Sequence, residues 1–194
     1  MTLTVFQVGV DMDNSQLLDT NADVARIFAR PADGELVAGR PWPAKLKLFD
    51  PSSPRASFFF LHESFLVMDA ATADLCRPAL RRGEWIRFSV DELGDVFLYN
   101  PTSTLGMDAV DWSATRGQYG VYSNLTLVKQ AIPPNLVFRL PKISSLYLSS
   151  QLQNDEQDLY FLYQKHKLTG LRFKKLCDES SGPVPNRSTA VGPN

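Results

Sequence analysis

The stretch Glu84-Trp85-Ile86-Arg87-Phe88-Ser89-Val90-Asp91-Glu92-Leu93-Gly94-Asp95-Val96-Phe97-Leu98-Tyr99 decides the fold. Ile86, Phe88 and Val90 alternate with Arg87 and Ser89, which is the period of a strand with one buried face. Asp95 to Tyr99 is a second strand-forming run. Only Asp91 to Gly94 separates the two, a short connection that contains glycine, so the pair reads as an antiparallel hairpin. Asn100 and Pro101 end it.

Upstream of the hairpin, Asp69 offers an N-cap for a helix through Leu75 and Cys76, which Pro78 must stop or kink. Ser57 to Leu61 is an aromatic run that fits a buried strand or a short packed helix, and periodicity leaves both open. Lys45 to Phe49 reads as a short strand within a proline-rich stretch. Asn21 to Arg30 reads as a helix that Asn21 caps and Pro31 stops, and Thr2 to Val10 reads as a strand. Downstream, Tyr119 to Lys129, Leu136 to Leu140 and Leu146 to Ser149 are expected strands. Ser150, with Gln153 three residues on, predicts a helix running to about Lys167, with Leu152, Leu159 and Tyr163 on one face. Gly170 is the expected left-handed C-cap, and Leu171 to Leu176 a closing strand. The class that follows is α+β: one domain over residues 1–177, a mainly antiparallel sheet and a few packed helices. Residues 178–194, rich in Ser, Pro and Gly, read as a disordered tail.

Apolar residues make up 44% of the 194 and charged residues 21%, a core-forming composition. No run approaches the roughly 20 apolar residues of a membrane helix, and Met1 to Val10 lacks the basic start of a signal peptide. The expectation is a cytoplasmic protein without a membrane partner. Cys76 and Cys177 have no pairing pattern, so free thiols in a reducing compartment are expected.

The net charge of −1 conceals an asymmetry: residues 1–115 carry 10 basic and 16 acidic side chains, residues 116–194 carry 10 and 5. Between Phe88 and Thr115 no Lys, Arg or His occurs, while Asp91, Glu92, Asp95, Asp108 and Asp111 do. These five form the candidate contact surface, one that attracts a cationic partner and repels nucleic acid.

Catalytic patterns are thin. His62 and His166 have no metal-ligand spacing; His62 reads as a hydrogen-bonded core or edge residue and His166 as a helix-end residue. Phosphate-binding glycine loops and a nucleophile elbow are not found in the sequence. Asp11 and Asp13, after the first strand, make a D-x-D pair of the kind that holds magnesium in some phosphohydrolases, but the small residues and later Lys with paired aspartates of those enzymes are not evident, and a strand-ending turn is the preferred reading. Asp108 and Asp111, three apart, could share one side of a helical turn. The expectation is no catalytic residue, no metal and no cofactor.

One ordered series of motifs remains. Leu98-Tyr99-Asn100 ends a strand; Asp108 and Asp111 follow as a D-x-x-D step. Then come Phe138-Arg139-Leu140, the Leu146 to Ser149 strand, a helix, and Leu168-Thr169-Gly170-Leu171-Arg172-Phe173. Over residues 60–177 this succession resembles immunity protein family eleven of bacterial polymorphic toxin systems. The resemblance implies a non-enzymatic cytoplasmic protein that binds and neutralises a cognate secreted toxin, a contact-dependent or type VI effector and in some cases a nuclease, encoded by a neighbouring gene. It also implies structural roles for Phe138, Leu140, Gly170, Leu171 and Phe173, and turn-forming roles for Asp108 and Asp111. The alternatives are a metal-dependent hydrolase using Asp11 and Asp13, and an adaptor of a secretion apparatus.

Overall fold

The computed structural model describes residues 3–19, 35–42, 45–118, 121–141 and 143–177. The expected helix at Asn21 to Arg30 and the tail from residue 178 lie outside them.

Twelve strands are described. A four-stranded antiparallel sheet has the order β10 (Leu136–Leu140), β11 (Ile143–Ser150), β1 (Thr4–Val10), β12 (Leu171–Cys177). A closed six-stranded barrel runs β2 (Gln16–Asp19), β3 (Lys45–Leu48), β6 (Gly83–Val90), β7 (Gly94–Pro101), β5 (Leu66–Asp69), β4 (Phe58–Phe60). Two barrel pairings, β2 with β4 and β3 with β6, are parallel; the others are antiparallel. A small ribbon joins β8 (Arg116–Gln118) to β9 (Val121–Asn124). The α+β class, dominated by antiparallel strands, is as expected.

The hairpin forms as the alternation requires. β6 and β7 pair along their whole length, from Gly83 opposite Pro101 to Val90 opposite Gly94. Gly94 takes φ +79, a left-handed turn conformation that costs glycine little. Ile86, Phe88 and Val90 point into the barrel, where Leu18, Leu46, Leu48, Val67, Val96 and Leu98 complete the interior. The aromatic run at residue 58 is a strand, β4: two neighbours, β2 and β5, take its backbone hydrogen bonds.

A second apolar layer packs the barrel's outer wall against one face of the sheet. Phe58, Leu66, Met68 and Tyr99 meet Val8, Val137, Leu146 and Leu148, with the helices α1 (Ala70–Cys76) and α2 (Leu159–Lys165) closing its ends. The opposite sheet face, through Val5, Phe138, Leu140 and Tyr147, is covered by the segment carrying Ala109, Val110, Leu127 and Ile132. One sheet buried on both faces is why all five residues of β10 are buried, Arg139 among them.

Helix α1 starts where expected: Asp69 accepts the Thr72 amide at 2.8 Å, and Pro78 follows the C-cap, Arg77. Helix α2 corrects the sequence expectation. Ser150 ends β11 and does not cap a helix; Asp158 does, accepting from the amides of Tyr160 and Phe161. Ser150 Oγ instead donates to Asp158 Oδ2 at 2.5 Å and accepts from the Leu152 amide. Leu152, placed on the apolar face by spacing, is 49% exposed with φ +53. At the other end His166 is the C-cap and Lys167, at φ +50, takes the left-handed position. Gly170 is left-handed too, at φ +99, but because the chain there presses on β4: a Cβ would sit 2.2 Å from the Phe58 carbonyl oxygen. The expected strand from Tyr119 to Lys129 is shorter, β9 alone, followed by a 3-10 turn at Lys129–Ala131.

Candidate protein-binding site

The acidic residues singled out in the sequence fall into two groups. Asp91 and Glu92 are exposed in the β6–β7 turn, with Asp95 just beyond it. Asp95 pairs with Arg87 across the hairpin at 2.6 Å. Asp108 and Asp111 come after β7, beyond Pro101, in the segment that covers the sheet. Asp108 is exposed on a 3-10 turn, Met107–Ala109. Asp111 accepts from the Ser113 hydroxyl, the Ser113 amide and the Ala114 amide, bonds led by the Ser113 hydroxyl that hold its carboxyl below the usual range. That is a turn-forming geometry.

The turn group has neighbours that sequence reasoning did not single out. β3 lies beside β6, and past Leu46 its chain rounds the same end of the barrel: the Asp91 amide donates to Leu46 O, and the Leu48 amide donates to Glu92 Oε2 at 3.3 Å. Strand alternation buries Leu46 and Leu48 and turns Lys47 and Phe49 outward. Phe49 is 70% exposed, the largest exposure among the large hydrophobic side chains described. Its amide donates to Leu17 O, so its backbone is fixed although its ring is not. Asp50 follows, exposed, accepting from Ser52 and Ser53; these bonds, led by the Ser52 hydroxyl, depress its pKa. The barrel end thus presents one bare aromatic ring with the carboxylates of Asp50, Asp91 and Glu92 and the Lys47 ammonium near it. The signal for Phe49 was available only as strand parity; its exposure depends on which face the barrel closes upon.

Asp11 and Asp13 stand in the turn after β1. Asp11 Oδ1 accepts from the Asp13 amide at 3.3 Å and its Oδ2 from Asn14 Nδ2 at 2.8 Å, which closes a local turn. No group of three or more potential metal ligands converges among the described residues.

Between sheet and barrel opens a cleft of about 230 Å³, edged by Gln7, Phe60, His62, Glu63 and Ser145. Along its sheet wall, Gln7 Nε2 on β1 donates to Ser145 Oγ on the neighbouring β11 at 2.9 Å. His62 is half-buried, its Nδ1 accepting from the Ser64 amide. Burial lowers its pKa; Glu63 opposes this and the Arg139 charge adds to it. The expected hydrogen-bonded edge histidine is what this geometry describes.

Two of the motifs quoted from the sequence meet. Arg139 is wholly buried, and its Nη2 donates to Asn100 Oδ1 at 2.8 Å and to Ser64 O at 2.6 Å. Nη1 reaches Pro101 O. Asn100 in turn donates to Glu84, whose carboxylate also accepts the amides of Val37 and Ala38. This chain of bonds joins sheet to barrel and assigns Asn100 and Arg139 an architectural task. Comparison with family profiles, with curated proteins and with solved structures returns no match.

Proposed function

We propose that this chain is a cytoplasmic toxin-neutralising protein of the immunity class, acting by binding one basic protein partner at the barrel end built by Phe49, Asp50, Asp91 and Glu92. The observation that carries the reading is Phe49, held on a fixed backbone, 70% exposed and flanked by carboxylates. Binding energy in protein interfaces concentrates in such aromatic anchors, and acidic surroundings accelerate the approach of a cationic partner. The order of motifs along residues 60–177 supports the immunity class over an adaptor of a secretion apparatus.

The test is co-expression with the toxin encoded by the neighbouring gene. Growth is rescued by the native chain, and a stoichiometric complex is recovered. Phe49→Ala weakens that complex by at least tenfold, mainly through faster dissociation. Asp91→Lys slows association at low salt, and the difference shrinks as ionic strength rises. Absence of rescue by the native chain removes the class of function; rescue with Phe49→Ala and Asp91→Lys both silent removes the site.

A further inference from the structure

The hairpin that carries the acidic turn is charged oppositely at its other end. Arg81 and Arg82 lead into β6 (Gly83–Val90), and the nine steps from Arg82 to Asp91 span roughly 30 Å at about 3.3 Å per residue. Their backbone is pinned. The Leu80 amide donates to Cys76 O, and the Thr102 amide donates to Arg82 O at 3.2 Å. Gly83 permits this, because a Cβ there would lie 2.4 Å from Asn100 O and 2.5 Å from the Tyr99 ring. Both arginines are exposed, and among the described residues neither enters an ion pair.

They border a cavity of about 290 Å³ whose facing wall is Pro133, Pro134 and Asn135, with the buried Tyr99 beneath. The wall is stiff: two prolines precede Asn135, which holds φ +50 while donating to Asp155 and accepting from the Gln151 amide. Two arginines bordering one cavity supply more charge than one carboxylate neutralises. A phosphomonoester carries about −1.5 to −2 at neutral pH and offers three acceptor oxygens, which suits a pair of arginine forks. The exposed faces of Pro133 and Pro134 suit a flat organic body. The volume sits just under the roughly 300–1,000 Å³ of ordinary ligand pockets, which limits the ligand to a small one.

We propose that this cavity is a binding site for a small phosphomonoester with a planar organic group, the phosphate held by Arg81 and Arg82 and the planar group lying against Pro133 and Pro134. It is separate from the acidic barrel end and stands or falls independently of the partner proposed there.

Calorimetric titration of the full chain with phenyl phosphate, inorganic phosphate and benzoate tests it. Phenyl phosphate is expected to bind with one-to-one stoichiometry, at least tenfold more tightly than either of the others. Arg81→Gln/Arg82→Gln lowers phenyl phosphate affinity at least tenfold while leaving the melting temperature within a degree or so, since both side chains are exposed. Phenyl phosphate binding no tighter than inorganic phosphate or benzoate overturns the proposal, as does affinity unchanged in the double variant. If the double variant melts early, Arg81→Lys/Arg82→Lys, which keeps charge but not the planar fork, is expected to weaken binding severalfold; unchanged affinity there also overturns it.

Discussion

Gly170 and His62 show how single residues carry the architecture. At Gly170 both the positive φ and the approach of the Phe58 carbonyl exclude a side chain. Gly170→Ala is therefore expected to lose about 2–4 kcal/mol, read as a fall in the denaturant midpoint at constant slope. His62 has its folded pKa lowered from 6.5, chiefly by burial. Its unfolded state then binds the proton more readily, so its contribution is complete above 6.5 and is lost as pH falls below 6.5 through the lowered folded value. Denaturation midpoints between neutral and mildly acidic pH check this; in His62→Gln that part of the pH dependence disappears. The Cys76 thiol, buried and pushed up to about 12 by desolvation and then by Asp69, should resist alkylation in the native state.

At the scale of elements, the short helix α2 depends on its ends. Asp158 caps it from a buried position, and burial raises the carboxyl pKa against the pull of Ser150 and three backbone amides. Asp158→Ala removes the cap and the Ser150 partner together, and is expected to cost about 1–2 kcal/mol; Asp158→Asn keeps an acceptor and costs less. Tyr163 fastens the same helix to β12, donating to Leu171 O and accepting from the Leu171 amide. The sequence suggested a helix starting at Ser150 because serine caps helices, Gln153 stands at the capping-box position and Leu152 fell on the right spacing. The structure ends β11 there instead, since Thr4 pairs with Ser150 and so holds the strand to its last residue. Such a partner is remote in the chain, and local spacing carries no trace of it.

For the whole molecule, the joint between sheet and barrel is polar at its centre. Arg139, Asn100 and Glu84 come from three strands and connect two sheets. Arg139→Met strands the Ser64 and Pro101 carbonyls and is expected to destabilise by about 3–5 kcal/mol in chemical unfolding. Asn100→Leu combined with it should cost clearly less than the sum of the two single changes, because both break one network. The charge plan belongs to the same scale: acids at one end of the β6–β7 hairpin, arginines at the other.

From the chain alone, the hairpin, the first strand, the Asp69 cap and the α+β class were legible. Each follows from local alternation, capping chemistry or turn residues, which act over a few positions. Closure of the barrel, the meeting of Asn100 with Arg139, the true start of α2 and the bareness of Phe49 were decided only by tertiary structure. These depend on which surfaces face each other across dozens of residues, where burial and long-range hydrogen bonds outweigh the weak preferences of any short segment.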